Sequence, residues 1–412
     1  MFMTKRSIPV AGILALAVVA GACSSSTKTS TSTAAPATTA PAAATTAKAA
    51  AATTAAAATT AAPAATTAAP AATTAAPATT AKAATAAALK AATLNASGAT
   101  FPKAFYDQAI ADFKKVQKDV VINYGGGGSG KGRTDLADQI TDWAGSDGTV
   151  KEEDKAKYKG GEFLYFPTVV APITVSFNVD GVDKLNLSAT TIAKIFQREI
   201  KSWDDAAIAA DNAGVKLPST PIVVAHRSDG SGTTDNFTKF LDAAVGSKGD
   251  GTWKLKSGST VEWPADTQAA EGNSGVAKIV KDTKGAIGYV DLSDAKATGL
   301  KFASVKNQAG KFVAATLEGA SAAAEGAEIK PDLTYFAGWA KGDAAYPIAA
   351  QTWILVYKKQ TDKAKGEATK AFVTYVLTAG QKTASAIDFA PLPKALADKA
   401  IAQLAMIEIP AA

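Results

Sequence analysis

A chain of 412 residues with one cysteine, one histidine and three methionines is closed to several kinds of chemistry from the outset. Cys23 has no second cysteine to pair with, so no disulfide forms within the chain. His226 is too small a supply of imidazole for the usual His-rich metal centres of hydrolases. It is also the only base available to a Ser–His–Asp triad, and neither Ser129 nor Ser231 stands in an intact Gly-x-Ser-x-Gly elbow. Catalysis is therefore not expected, nor is a cofactor or metal. Acidic residues are absent from the first 93 positions, which hold Lys5, Arg6, Lys28, Lys48, Lys82 and Lys90. Those six charges equal the net charge of +6 for the whole chain, so everything from Leu94 onward is balanced. A nucleic-acid reader would carry its excess on the folded part, and that class is set aside.

Long hydrophobic runs are also scarce. The one at the N-terminus, "IPVAGILALAVVAG", follows Lys5 and Arg6 and is shorter than a membrane span. Residues 1–22 have the layout of a secretory signal. "VAGAC" resembles a bacterial lipobox, with Ala20 where Leu is commoner, and this implies that Cys23 is lipidated and anchors the chain to the outer face of the plasma membrane. From there to Thr93 the chain is almost wholly Ala, Thr, Pro and Ser, with "AATTAAP" repeated up to Pro63, Pro70 and Pro77. Seven is the coiled-coil period, but nothing larger than Ala or Thr fills the seam and proline breaks the helix. Residues 23–93 are read as a disordered tether with a coil dimension of roughly 45 Å, open to O-glycosylation.

In the remaining part, "GGGGSGKG" at 125–132 comes close to a nucleotide-binding P-loop. Gly125, Gly130 and Lys131 fit, but Gly132 stands where the magnesium-binding hydroxyl belongs. Closely spaced glycine N–H groups at a helix start still suit an anion. Strand-like runs such as "VVINY" and "TPIVVAHR" alternate with helical ones, which predicts α/β units with largely parallel sheets. "FPTVVAPITVSFNV" and "YPIAAQTWILVYK" are long extended segments far apart in sequence, suited to crossing between two domains and back. Three Ser/Thr-rich segments each open a predicted helix, at Thr100, at Ser129 and at Ser231, Gly232 and Thr233. Each one alone reads as an N-cap. Converging, they would surround a tetrahedral oxyanion with donors, Arg227 adding a charged fork and Asp229 holding it.

"SGATFP", "NYGGGGSG", "GSDG", "FPTVVAPITVSFN", "IKSWDDAAI", "HRSDGSGTTDNFTKFL" and "GAIGYV" resemble, in order and spacing from Asn95 to Pro393, the phosphate-binding protein of the bacterial phosphate-specific ABC importer. The resemblance implies a type II periplasmic-binding-protein fold, two α/β domains joined by two hinge strands and closing on one anion. The expected boundaries are 94–170 with 350–412 for domain I and 171–349 for domain II. It further implies a monomer that binds inorganic phosphate through Thr100, the backbone of Phe101, Ser129, Asp147, Arg227, Ser231, Gly232 and Thr233. The implied partners are ABC permease subunits with a cytoplasmic ATPase. Lys131 and the position of His226 depart from the family's pattern; Lys131 is read as solvated and His226 as structural. Asp147 needs a donor on the ligand, because an ionised carboxylate only accepts. Phosphate near neutral pH keeps a proton and sulfate does not, which makes Asp147 the residue that separates phosphate from other oxyanions. Alternatives are a receptor for another tetrahedral oxyanion, a stalked structural lipoprotein, and an extracytoplasmic phosphate-ester hydrolase.

Overall fold

The computed structural model describes residues 88–411. The signal segment, Cys23 and most of the tether lie outside the described residues. Ala92 and Thr93, read as the end of the tether, instead begin the first strand, β1 (Ala92–Gly98), where they pair with Val120 and Val121.

Helix α1 (Lys103–Val116) follows β1 and puts Phe105, Ala109 and Phe113 on one buried face, at the spacing that predicts it. Lys114 and Lys115 in its last turn suit the negative end of the helix dipole. Strand β2 (Val120–Gly127) then runs into α2 (Gly128–Ala137), and β3 (Trp143–Ser146) lies on the other side of β1. All three strands are parallel, as the alternation predicts.

The next strand, β4 (Phe163–Phe177), is 15 residues long and buried almost throughout. Its first part pairs with the return strand Ala349–Tyr357, and its last part, from Ile173, pairs with Ala286–Asp291. The sheet therefore has two halves that share β4. The first half runs β2, β1, β3, return strand and β4; the second continues through Ala286–Asp291 and Val223–Arg227 to Gln268–Ala270. Pairing within the second half is parallel from Ala286–Asp291 outward. Both crossing strands are antiparallel to their neighbours, a feature the alternation of elements does not reveal. Aromatic side chains fill both halves. Tyr106, Tyr124, Trp143 and Phe372 pack together in the first, and Phe196, Phe237, Trp263 and Tyr289 in the second. Among the described residues no helix is long and apolar enough to cross a membrane.

Candidate functional site

The residues singled out in the sequence lie just beyond the C-terminal ends of parallel strands, where α/β sheets hold ligands. Thr100 and Phe101 follow β1, Ser129 follows β2, Asp147 follows β3, and Arg227 ends the strand Val223–Arg227. The second half contributes the helix Gly232–Val245, capped by Ser231, whose Oγ accepts from the Thr234 N–H at 3.1 Å.

The glycine loop is built for close approach. Gly127 and Gly128 have φ of 103° and 86°, which side chains rarely adopt, and a Cβ on Gly128 would run into the Asp229 carboxylate. Gly130 donates its N–H to Gly230 O at 2.7 Å, so the two halves of the sheet meet backbone to backbone. Gly132 explains why no P-loop hydroxyl stands there. A Cβ at this position would lie 2.7 Å from Gly98 Cα and 2.8 Å from the carbonyls of Gly145 and Ser97. Helix α2 thus sits against β1 and β3 with no space for a side chain. Ser129 lies one residue inside α2 rather than at its cap, with its hydroxyl turned to Asp147.

Ser129 Oγ donates to Asp147 Oδ2 at 3.3 Å and accepts the Asp147 N–H at 3.1 Å. The other carboxylate oxygen, Oδ1, is buried and has no hydrogen-bond partner. Burial is the main influence on this group and pushes its pKa up to about 7, against the Thr352 and Ser129 hydroxyls and the charge of Arg227. Arg227 is 4% exposed, so the Arg–Asp pair is interior. Its Nε donates to Asp229 Oδ1 at 2.7 Å, Nη2 donates to Asp229 Oδ2, and Nη1 reaches Thr233 Oγ1 at 3.5 Å. Burial opposes ionisation of Asp229, but the Arg227 bonds and charge and the Gly272 N–H hold its carboxyl below the usual range. A guanidinium has five N–H groups, and two stay available to a ligand. Gly232 and Thr233 open their helix, where backbone N–H groups have no intrahelical acceptor. The Ser231 N–H is already given to Ser259 O at 2.8 Å, leaving only its hydroxyl.

Phe101 turns its ring into the core, edge-on to Phe389, and offers the site only its backbone. Thr100, half-buried, accepts at Oγ1 from Asn273 N at 3.3 Å and Nδ2 at 3.2 Å, and Asn273 Nδ2 also donates to Thr233 Oγ1 at 3.1 Å. Asn273 was not singled out in the sequence; the only signal there is a glycine-flanked helix start, "EGNSGV". Asn236 is a second residue missed, donating from Nδ2 to Asp147 O at 2.7 Å and accepting from Gln351 on the return strand at 2.8 Å.

Two residues stand aside. Lys131 pairs with Asp135 at 2.6 Å, one helical turn on, with its side chain half exposed. His226 is stacked on Trp263 and held by Arg227 O and Thr267 Oγ1, both at 2.9 Å, and burial lowers its pKa. It is a packed structural residue.

Gly232 gives a sharp test of the site's closeness. A Cβ there would lie 2.6 Å from both Cβ and Oδ2 of Asp147 and would strike Ser129 Oγ. Gly232→Ala has to push Ser129 and Asp147 aside with or without ligand, so it is expected to lower the melting temperature by several °C and to weaken anion binding by at least about 10²-fold. Calorimetric titration beside a thermal melt checks it.

Comparison with known proteins agrees with this geometry. Residues 79–379 match the family described as a PBP superfamily domain. The phosphate-binding protein PstS of Methanocaldococcus jannaschii is 38% identical, the alignment covering 70% of this chain and 79% of that one. PstS 3 of Mycobacterium leprae is 34% identical over 73% of this chain and 83% of its own. Among solved structures, a high affinity periplasmic phosphate-binding protein (PfluDING) superposes with a TM-score of 0.64 at 23% identity, covering 76% of this chain and 94% of that one. A phosphate-binding protein from Stenotrophomonas maltophilia gives 0.60 at 24%, covering 76% and 93%. The described fold is that of the type II periplasmic binding proteins, and the chain belongs to the PBP superfamily and, within it, to the PstS family.

Proposed function

We propose that this protein captures inorganic phosphate outside the plasma membrane and delivers it to an ABC permease energised by a cytoplasmic ATPase. The observation that carries the reading is Asp147 Oδ1, a buried acceptor with no partner beside a cluster of donors. The donors are the free N–H groups of Arg227, the backbone at Phe101, Gly232 and Thr233, and the hydroxyls of Thr100, Ser231 and Thr233, with the Ser129 hydroxyl joining them by turning from Asp147 to the anion. Such a set fits an oxyanion that offers many acceptors and one proton. Asp229 supports it by orienting Arg227.

On this reading residues 92–170 with 350–412 form one domain and residues 171–349 the other, and β4 with the return strand forms the hinge. Ligand contacts drawn from both domains favour the closed form over the open one, which is how binding shifts that equilibrium. The permease would take the closed form and release its anion without hydrolysis by this chain. Cys23, lipidated after removal of residues 1–22, would tether a monomer to the membrane's outer face through the residues that precede β1. Cys23 and residues 24–87 lie outside the described residues, and the anchor is read from the sequence alone.

The test is calorimetric titration of phosphate and sulfate into protein stripped of bound anion. One-to-one phosphate binding with negligible sulfate binding at pH 8 is expected. Equal binding of the two would make this a general oxyanion receptor, and binding of neither would remove the receptor reading.

A further inference from the structure

Asn273 is fully buried and stands in the first turn of the helix Gly272–Asp282 in the second half of the sheet. Its side-chain nitrogen lies between two threonines from opposite halves, 3.2 Å from Thr100 Oγ1 and 3.1 Å from Thr233 Oγ1. A hydroxyl has two lone pairs and one hydrogen. Thr100 Oγ1 takes two donors, the backbone and side-chain N–H of Asn273. Thr233 Oγ1 also takes two, from Asn273 Nδ2 and Arg227 Nη1. In each case the accepting capacity is filled, and the only thing the hydroxyl has left to offer is its own hydrogen. The amide oxygen, Oδ1, is buried with no partner. A buried amide is seldom kept with an unsatisfied atom unless its other end is needed where it is.

We propose that Asn273 is a positioning residue that sets the proton direction of the site, fixing the hydroxyls of Thr100 and Thr233 as donors toward the bound anion. This rests on the phosphate reading given above. The device works only when the halves are together, because Thr100 comes from one and Asn273 from the other. It also makes specificity two-sided. Asn273 keeps the two threonines from accepting, which leaves Asp147 as the charged acceptor of the site and disfavours a ligand that brings several protons.

Aspartate has the shape of asparagine but two acceptors, so Asn273→Asp reverses both side-chain bonds and draws the two hydroxyl hydrogens away from the anion. At pH 8 this variant is expected to bind phosphate about 10²-fold or more weakly than the parent protein, since bonds to a charged acceptor are lost at two points. Affinity is expected to recover on acidification toward pH 5, as the new carboxyl gains a proton and can donate. Asn273→Ala lacks that group and is expected to show no such recovery. Should Asn273→Asp melt at a lower temperature, a double-mutant cycle of Asn273→Ala with Thr233→Ala separates fold from function. Non-additive losses in phosphate affinity support the coupling, and additive losses overturn it. Phosphate binding by Asn273→Asp equal to the parent's at pH 8 would also overturn it, and leave the phosphate reading intact. Absence of phosphate binding by the parent protein would overturn that reading first, and this inference with it.

Discussion

Arg227→Met is expected to lower phosphate affinity by at least about 10³-fold. Two effects act in the same direction. The ligand loses the charge and the remaining N–H groups of a guanidinium already oriented by Asp229. Asp229 is then left as a part-buried carboxylate without its partner; breaking a fully buried pair from one side costs about 3–5 kcal/mol, and the cost here lies below that. That cost falls on folding as well as on binding, so the melting temperature is expected to drop too. Arg227→Met with Asp229→Leu removes the orphaned charge and is expected to restore the melting temperature but not the affinity. Arg227→Lys keeps the charge without the fork and falls between. Calorimetry with the three variants and a thermal melt for each are the measurements; binding by Arg227→Met within tenfold of the parent would place the anion elsewhere.

Asp147 carries the second large effect, and its sign depends on pH. Burial raises its pKa from 3.8 to about 7 in the site as described. Ionised, it would accept a hydrogen bond from the O–H that phosphate brings. Protonated, it donates, and sulfate then finds a partner where it otherwise meets a like charge. Sulfate affinity is therefore expected to rise about tenfold per unit as pH falls toward 7 and to level off below about 6, or roughly thirtyfold between pH 8.5 and 6. Asp147→Asn can donate at every pH, so its sulfate affinity is expected to be flat and its phosphate-over-sulfate ratio at pH 8 lower by at least about 10²-fold. An unchanged ratio in this variant would remove Asp147 from specificity. The same shift affects stability without ligand. The folded protein holds this proton more tightly than the unfolded chain does, so the contribution of Asp147 declines as pH rises from about 4 to about 7 and is constant above.

Much of this site could be read from the sequence because its parts are local. Arg227, Asp229, Ser231, Gly232 and Thr233 lie within seven consecutive positions, and a strand-to-helix turn brings them together without help from the rest of the chain. Ser129 and Thr100 are marked by the glycines that let their backbones approach. Asn273 carries no such mark. Its value comes from Thr100, 173 residues away, and an uncharged amide at a helix start resembles many others. Asn236 is hidden in the same way, because its partners are a backbone carbonyl 89 residues off and a glutamine on the return strand. The antiparallel direction of the two crossing strands was equally out of reach. Period and length identify a buried strand, but not which way its neighbour runs. Lys131, read from the sequence as solvated, is half exposed and paired with the acid four residues on, Asp135, a partner the helical spacing made available.

The chain enters the first half of the sheet at Ala92 and ends in it, where Glu408 bonds Lys358 and Gln360 beside the return strand. The second half is reached only through β4 and left only through Ala349–Tyr357, so it hangs from the first like a door from its frame. A load applied at Ala92 would therefore bear on the frame alone. Its path would not cross the cleft between the halves, so the contacts expected to hold an anion there would be spared the strain.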